Sequence, residues 1–342
     1  MNKLLDMYRV GILGATGVVG GELISVLSDR NFPLSELFLY ASERSVGKSI
    51  DTVLGRIEVQ HVDNIDYSNL DFVFNAIGGD WPKDNLLKAK NSNCVIIDNS
   101  STFRYDSSIP LIIPEINADK IGNNKLIANP NCTTAIVAIP LYLIEQKYGI
   151  KNIIISTYQA ASGAGNGAME ELMEGTKNYF ENKDYTNKIF SHPLPFNLIP
   201  QIDTFQSNGY TREEMKVVWE LRKIFSNENL NISCTCVRVP TLRAHSESVT
   251  VETINPIDPE IFRQELDSVK GVRVCDDIAK KLYPMPITAT KSYDVEVGRI
   301  RQNLIFKDYG IDFFVSGDQL LKGAALNAVQ IAEYIIANKN RI

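Results

Sequence analysis

Histidine is scarce in this sequence, with His61, His192 and His245 the only three in 342 residues, so imidazole chemistry has few possible addresses. Cysteine is scarce too. Cys94, Cys132, Cys234, Cys236 and Cys275 form an odd set without zinc-type spacing, which argues against a metal knuckle and for a reducing compartment. There is no basic excess: 35 Lys and Arg stand against 41 Asp and Glu, a net charge of -6. A general nucleic-acid binder would show the opposite balance, although a local cluster of Arg and Lys can still hold a small anion. Long apolar runs are missing as well. The longest, Ala135 to Ile144, contains Pro140 and is far too short to span a bilayer. The opening "MNKLLDMYRVGILGATG" is broken by Asp6 and Arg9 and does not read as a signal peptide, so a cytoplasmic location is expected. Internal repeats and low-complexity tracts are not visible.

What is present is the composition of an ordinary globular protein, 44% hydrophobic and 22% charged, at a length that favours two domains. "YRVGILGATGVVGGELISVLSDR" reads as strand, glycine turn and amphipathic helix. "LSELFLYAS", "DFVFNAIGG" and "CVIIDNSS" are short apolar strands ending in Gly, Asn or Ser, the pattern of a doubly wound parallel sheet. After residue 131 the texture changes. "IIISTYQA", "SCTCVRVP", "SVTVET", "VEVGRIR" and "DFFVS" alternate or are β-branched, as in a mixed or antiparallel sheet. Residues 179–208, rich in Asn, Pro and Phe, are expected to form an ordered loop or lid. The closing "DQLLKGAALNAVQIAEYIIANKN" has helical spacing and is expected to pack back on the first domain. The expected fold is α/β: a Rossmann-like domain of residues 1–131 with 318–342, and an α+β domain with a mixed sheet over 132–317.

Gly14, Gly17 and Gly20 form G-x-x-G-x-x-G behind the first strand. Glycines there let the chain turn tightly and bring backbone N–H groups to a pyrophosphate at a helix N-terminus. Gly14, Thr16, Gly17, Val18 and Val19 are the expected cofactor contacts. An NAD site usually carries an acidic residue at the end of the second strand. Here "YASERSVGK" offers Arg44 and Ser45, suited to a 2′-phosphate, so NADP(H) is the expected cofactor; Glu43 and a merely solvated turn weigh on the other side.

In "IANPNCTTAIVAIP", Pro130 resists helix at Asn129, and Asn131 can cap a helix that starts next to it. Cys132 then falls in a first helical turn, where unsatisfied N–H groups favour thiolate and could stabilise an oxyanion. A buried capping cysteine is the plain alternative. Cys234 and Cys236, two apart on a strand, share one face and read as core. His61 and His192 read as structural. His245, in "RVPTLRAHSESVTVE", is placed in a polar turn between two strands and is the best acid–base candidate.

Taken together, "GATGVVG", "NPNCTT", "QAASGAG", "EEMK", "RVPTLRAHSESV", "FNLIPQID" and "GAALNAVQIAE" resemble the bacterial type of aspartate-semialdehyde dehydrogenase nearly end to end. The resemblance implies NADPH-dependent reductive dephosphorylation of L-aspartyl-4-phosphate through a thioester on Cys132, in the branch toward lysine, methionine and threonine. It implies that Gln159 orients the substrate, that Arg238 grips its carboxylate and Glu213 its ammonium, and that Arg104 and Lys216 hold phosphate. His245 is implied as the proton carrier. Ser162, Gly163 and Gln319 are implied at the nicotinamide end, Gln319 standing where this subtype commonly has asparagine. A homodimer or larger assembly is implied, with no nucleic-acid or membrane partner. The alternatives are N-acetyl-γ-glutamyl-phosphate reductase, another acyl-phosphate or acyl-thioester reductase, and a catalytically silent NADP-binding protein.

Overall fold

The computed structural model describes residues 7–338. Residues 1–6, at the start of the opening segment, and 339–342, at the end of the closing one, lie outside the described residues. The chain divides into two units, 1–131 with 324–342 and 132–323.

The first unit carries β1 (Tyr8–Leu13), β2 (Leu34–Ala41), β3 (Ser49–Thr52), β4 (Gly55–His61), β5 (Phe72–Asn75), β6 (Val95–Asp98) and β7 (Leu126–Ala128). They form one sheet in the order β3-β4-β2-β1-β5-β6-β7. Every pair is parallel except β3 with β4. All residues of β5 and β6 are buried, as a parallel sheet covered on both faces requires. Among its covers are the Val18–Asp29 and Leu326–Ala337 helices, which touch each other. Next to the first of them, Arg30 forks onto Glu333 of the second, Nε to Oε1 at 2.7 Å and Nη2 to Oε2 at 2.6 Å. The second buries Leu326, Ala328, Val329, Ile331 and Ala332, so its apolar face closes this unit's core.

The second unit holds β8 (Ile150–Gln159), β9 (Asn231–Arg238), β10 (His245–Thr253), β11 (Val272–Val274), β12 (Val295–Asn303) and β13 (Lys307–Gly317). Their order is β11-β12-β13-β10-β8-β9. The β8–β9 and β11–β12 pairs are parallel and the others antiparallel, which makes the sheet mixed. Strict alternation along β8 buries Ile153, Ile155, Thr157 and Gln159 while Ile154 and Tyr158 stay exposed. The Cys132–Tyr148 helix packs against β8, β10 and β13.

The chain rejoins the first unit at Ala324, later than the 318 expected from sequence. The reason is the segment's bonding. Asp318 accepts from Arg243 Nε at 2.6 Å and from the Lys291 N–H at 2.7 Å, and Gln319 holds Ala244 and Ser162. Residues 179–208 begin as the last turn of the Asn166–Phe180 helix and then run without helix or strand, pinned by side-chain hydrogen bonds. Among the described residues no helix is long and apolar enough to cross a membrane.

Candidate active site

In the first unit, the glycine loop is obligatory by geometry. Gly14 has φ +81°, and a Cβ on Gly20 would lie 2.2 Å from the Gly14 carbonyl oxygen. The Gly17 N–H closes the turn on the Gly14 carbonyl at 2.9 Å, and the Val18–Asp29 helix starts there with neither a side-chain cap nor an acidic residue in its first turn. Such an end favours an anion. Thr16 Oγ1 donates to Ser45 Oγ at 3.1 Å, tying the loop to the end of β2. Ser45 is thereby buried while Arg44 stays exposed; Val18 and Val19 are half-buried. These residues fit a dinucleotide with a 2′-phosphate. Arg104 belongs to this unit, buried, with Nη2 donating to the Asn99 carbonyl at 2.7 Å. Beyond β7, Asn129 donates to Asn99 Oδ1 at 2.8 Å and accepts from Asn327 at 2.6 Å, fixing the Asn-Pro-Asn corner.

The second unit assembles the remaining candidates. Cys132 is the first residue of its helix and only half-buried. Gly323 packs flat on it: a Cβ there would come within 2.7 Å of the Cys132 Cβ. Gln159 ends β8, accepts from Thr157 Oγ1 at 3.0 Å and donates to Glu213 Oε1 at 3.2 Å. Glu213 stands in the first turn of the Arg212–Phe225 helix, whose Thr211–Glu214 capping box fixes that turn. Glu214 also accepts the Cys236 N–H at 2.9 Å, so the helix start is locked to β9. Lys216 Nζ donates to Glu213 Oε2 at 3.0 Å and to Asp203 Oδ2 at 2.8 Å. Burial opposes the lysine's charge, but Glu213 and Asp203 outweigh it and hold Lys216 above the usual ammonium range.

Arg238 ends β9 beside Gln159 in register. Its Nη1 donates to the Ala160 carbonyl at 2.6 Å. Burial pulls its pKa down, opposed by the fields of Glu213 and of Cys132.

His245 corrects the sequence expectation. It is not in a turn but is the first residue of β10, opposite Gly317 of β13, and wholly buried. The preceding Ala244 takes the turn's strain at φ +69°. Its N–H is held by Gln319 Oε1 at 2.8 Å. The ring accepts the Ala160 N–H at Nδ1, 3.0 Å away, so the neutral imidazole carries its proton on Nε2. Burial first, and the Arg238 charge second, press its pKa down to about 3. Nε2 is buried and has no hydrogen-bond partner among the described residues. Gly163 leaves it room, since a Cβ there would lie 3.2 Å from Nε2 and 3.0 Å from Arg238 Nη1.

Gln319 faces inward, accepting from Ala244 and donating to Ser162 Oγ, so one amide N–H remains for a ligand. His61 ends β4 and accepts the Asp63 N–H, and His192 is exposed in the long loop. Cys94, Cys234, Cys236 and Cys275 are buried, with Cys94 pushed up to about 12 by burial. Two contributors escaped the sequence reading: Gly323 and the main chain of Ala160, whose N–H and C=O orient both His245 and Arg238. Only the small-residue string "QAASGAG" marks the second, because backbone groups carry no residue-type signal.

The family descriptions "Semialdehyde dehydrogenase, NAD binding domain" and "Semialdehyde dehydrogenase, dimerisation domain" match residues 9–124 and 141–322. The aspartate-semialdehyde dehydrogenase of Synechocystis sp. is 45% identical over 96% of this chain and 97% of its own length. That of Aquifex aeolicus is 44% identical over 96% and 98%. The solved aspartate semialdehyde dehydrogenase II from Vibrio cholerae, complexed with ASA, superposes with a TM-score of 0.94 at 40% identity, covering 97% of this chain and 99% of that one. The chain belongs to the aspartate-semialdehyde dehydrogenase family.

Proposed function

We propose that this protein reduces L-aspartyl-4-phosphate with NADPH to L-aspartate-4-semialdehyde, releasing phosphate and NADP⁺, through a thioester on Cys132. The observation that carries the reading is the buried row Glu213–Gln159–Arg238 in the unit that bears Cys132. A free amino acid presents an ammonium and a carboxylate, and this row offers one counter-charge to each.

Cys132 sulfur attacks the acyl carbon and the bond to the phosphate oxygen breaks, leaving a thioester. Arg104 and Lys216 are the proposed phosphate ligands. NADPH, when bound, supplies the hydride; Gly14, Thr16, Gly17, Val18, Val19, Arg44 and Ser45 would hold its phosphates and ribose, and Ser162, Gly163 and Gln319 its nicotinamide end. Addition of hydride to the thioester carbon makes an oxyanion. His245, neutral with its proton on Nε2, donates a hydrogen bond to that oxygen. Collapse of the oxyanion expels the Cys132 thiolate and forms the aldehyde without a net proton transfer. A preorganised donor therefore suffices at this step.

The partly exposed sheet face around Ile154, Tyr158 and Phe314 suits a homodimer contact, in keeping with the family's dimerisation domain. A cytoplasmic location fits the free cysteines.

The test is phosphate-dependent NADPH formation from aspartate semialdehyde, repeated with NAD⁺ and with N-acetylglutamate semialdehyde. The expected result is turnover of the free amino acid with NADP⁺, abolished in Cys132→Ala. Preference for the acetylated compound, or full activity of Cys132→Ala, overturns the reading.

A further inference from the structure

We propose that Glu171 is a positioning residue that clamps the 185–195 strap so that Phe190 forms a wall over the Arg238 guanidinium and sets the grip on the substrate's carboxylate. The inference rests on the proposed aspartyl-phosphate reductase function.

Positions 167, 171 and 175 follow one stripe of the Asn166–Phe180 helix. The stripe is bare at both ends. A Cβ on Gly175 would lie 2.9 Å from both Pro195 Cγ and Tyr185 Cζ, and one on Gly167 would lie 2.9 Å from Ile189 Cδ1. The strap therefore lies directly on the helix backbone. Between the two glycines Glu171 is buried, 7% exposed, and takes three successive backbone donors. Lys188 and Ile189 give their N–H groups to Oε2 at 2.9 and 2.8 Å, and Phe190 gives its own to Oε1 at 3.1 Å. The Tyr185 hydroxyl adds a bond to the Glu171 carbonyl at 3.0 Å. Burial opposes the carboxylate's charge, but these donors prevail and keep Glu171 below the usual carboxylate range. It is an anion nested in main-chain amides.

Phe190 directly continues that nest. Its ring packs on the cluster of Ala161, Leu172, Leu194 and Ile199, with the Arg238 guanidinium carbon 5.9 Å from its centroid. Phe190, Ile199, Ile202, Asp203 and Arg238 line a cavity of about 280 Å³. Among the described residues, the Arg238 side chain makes its hydrogen bond through Nη1 to Ala160, which leaves the rest of the fork for a carboxylate. An aromatic face over the cation keeps water off one side of that pair and adds attraction of its own. Nothing in this arrangement touches the reacting carbon, so the effect falls on binding.

The experiment is steady-state kinetics of the full-length protein in the NADP⁺- and phosphate-dependent direction. Wild type, Glu171→Gln, Phe190→Ala, Phe190→Tyr and the Glu171→Gln/Phe190→Ala double variant are compared on aspartate semialdehyde. Glu171→Gln and Phe190→Ala should each raise KM about five- to tenfold with little change in kcat. Phe190→Tyr should stay near wild type. The double variant should be no worse than Phe190→Ala, because Glu171 acts through the ring. On 3-aminopropanal, which lacks the carboxylate, neither single variant should matter. Additive losses, a fall in kcat at constant KM, or equal losses on 3-aminopropanal overturn the proposal. If Glu171→Gln does not fold, Glu171→Asp takes its place in the cycle. Wild type inactive on aspartate semialdehyde would instead defeat the functional reading on which the proposal rests.

Discussion

The Ala160 N–H meets His245 Nδ1 across 3.0 Å, and this contact decides which ring nitrogen carries the proton. The same residue's carbonyl takes Arg238 Nη1 at 2.6 Å, so one residue's main chain orients the ring and the cation proposed to grip the substrate carboxylate together. The ring stays neutral because charging it would desolvate a cation beside Arg238.

The buried ring gives stability a pH dependence of definite sign. The folded pKa of His245 lies at about 3, below the ordinary 6.5 that the unfolded chain regains. Below pH 6.5 the unfolded state binds a proton that the native state refuses, so stability falls with acid. The slope approaches about 1.4 kcal/mol per pH unit. Urea unfolding at pH 7 and pH 5.5 should show wild type losing more stability than His245→Asn. Parallel losses in the two proteins would contradict a buried neutral ring. In kcat/KM, no limb between pH 5 and 8 should belong to this residue.

Gly163 is the second test. Its missing Cβ is what keeps 3.2 Å open beside His245 Nε2 and 3.0 Å beside Arg238 Nη1. Both neighbours are fixed by Ala160, so a methyl group must displace one of them. Gly163→Ala should lower kcat by about tenfold or more while leaving the melting temperature within a few degrees. Differential scanning calorimetry beside steady-state kinetics separates the outcomes. A large melting shift with normal kcat would make Gly163 structural.

The helix start at Cys132 and the glycine loop were legible in the sequence because each couples a local backbone demand to a residue type. Gly20 must lack a Cβ, and Cys132 follows an Asn-Pro-Asn corner at a helix start. The apolar strands ending in small polar residues gave the parallel sheet for the same reason. His245 reads as a turn residue because the local text "TLRAHSES" looks polar, while pairing with Gly317 across 72 residues makes it a strand. Ala160 was invisible because its contribution is main-chain. Glu171 reads as one more charge on an amphipathic helix; only the strap lying on it reveals a buried anion. Long-range pairing and backbone donors are the two things that local pattern does not encode.

Glu247 supplies the last prediction, opposite in sign to that for His245. It lies two residues further along β10, across from Thr157 of β8 and Val315 of β13, wholly buried. Neither carboxyl oxygen has a hydrogen-bond partner among the described residues. Burial drives its pKa well above the ordinary 4.5, which favours the neutral acid in the fold. The unfolded chain releases that proton above 4.5, which means that stability drains away as pH rises toward the folded value, by up to about 1.4 kcal/mol per unit. Glu247→Gln keeps the shape and never ionises. The buried amide shifts stability equally at every pH, so the diagnostic is the change in the gap between the two proteins. Between pH 5 and pH 8 in urea unfolding, that gap should move in favour of Glu247→Gln. A gap that stays constant, or moves toward wild type, would mean that the Glu247 carboxyl is ionised in the fold and has found a partner.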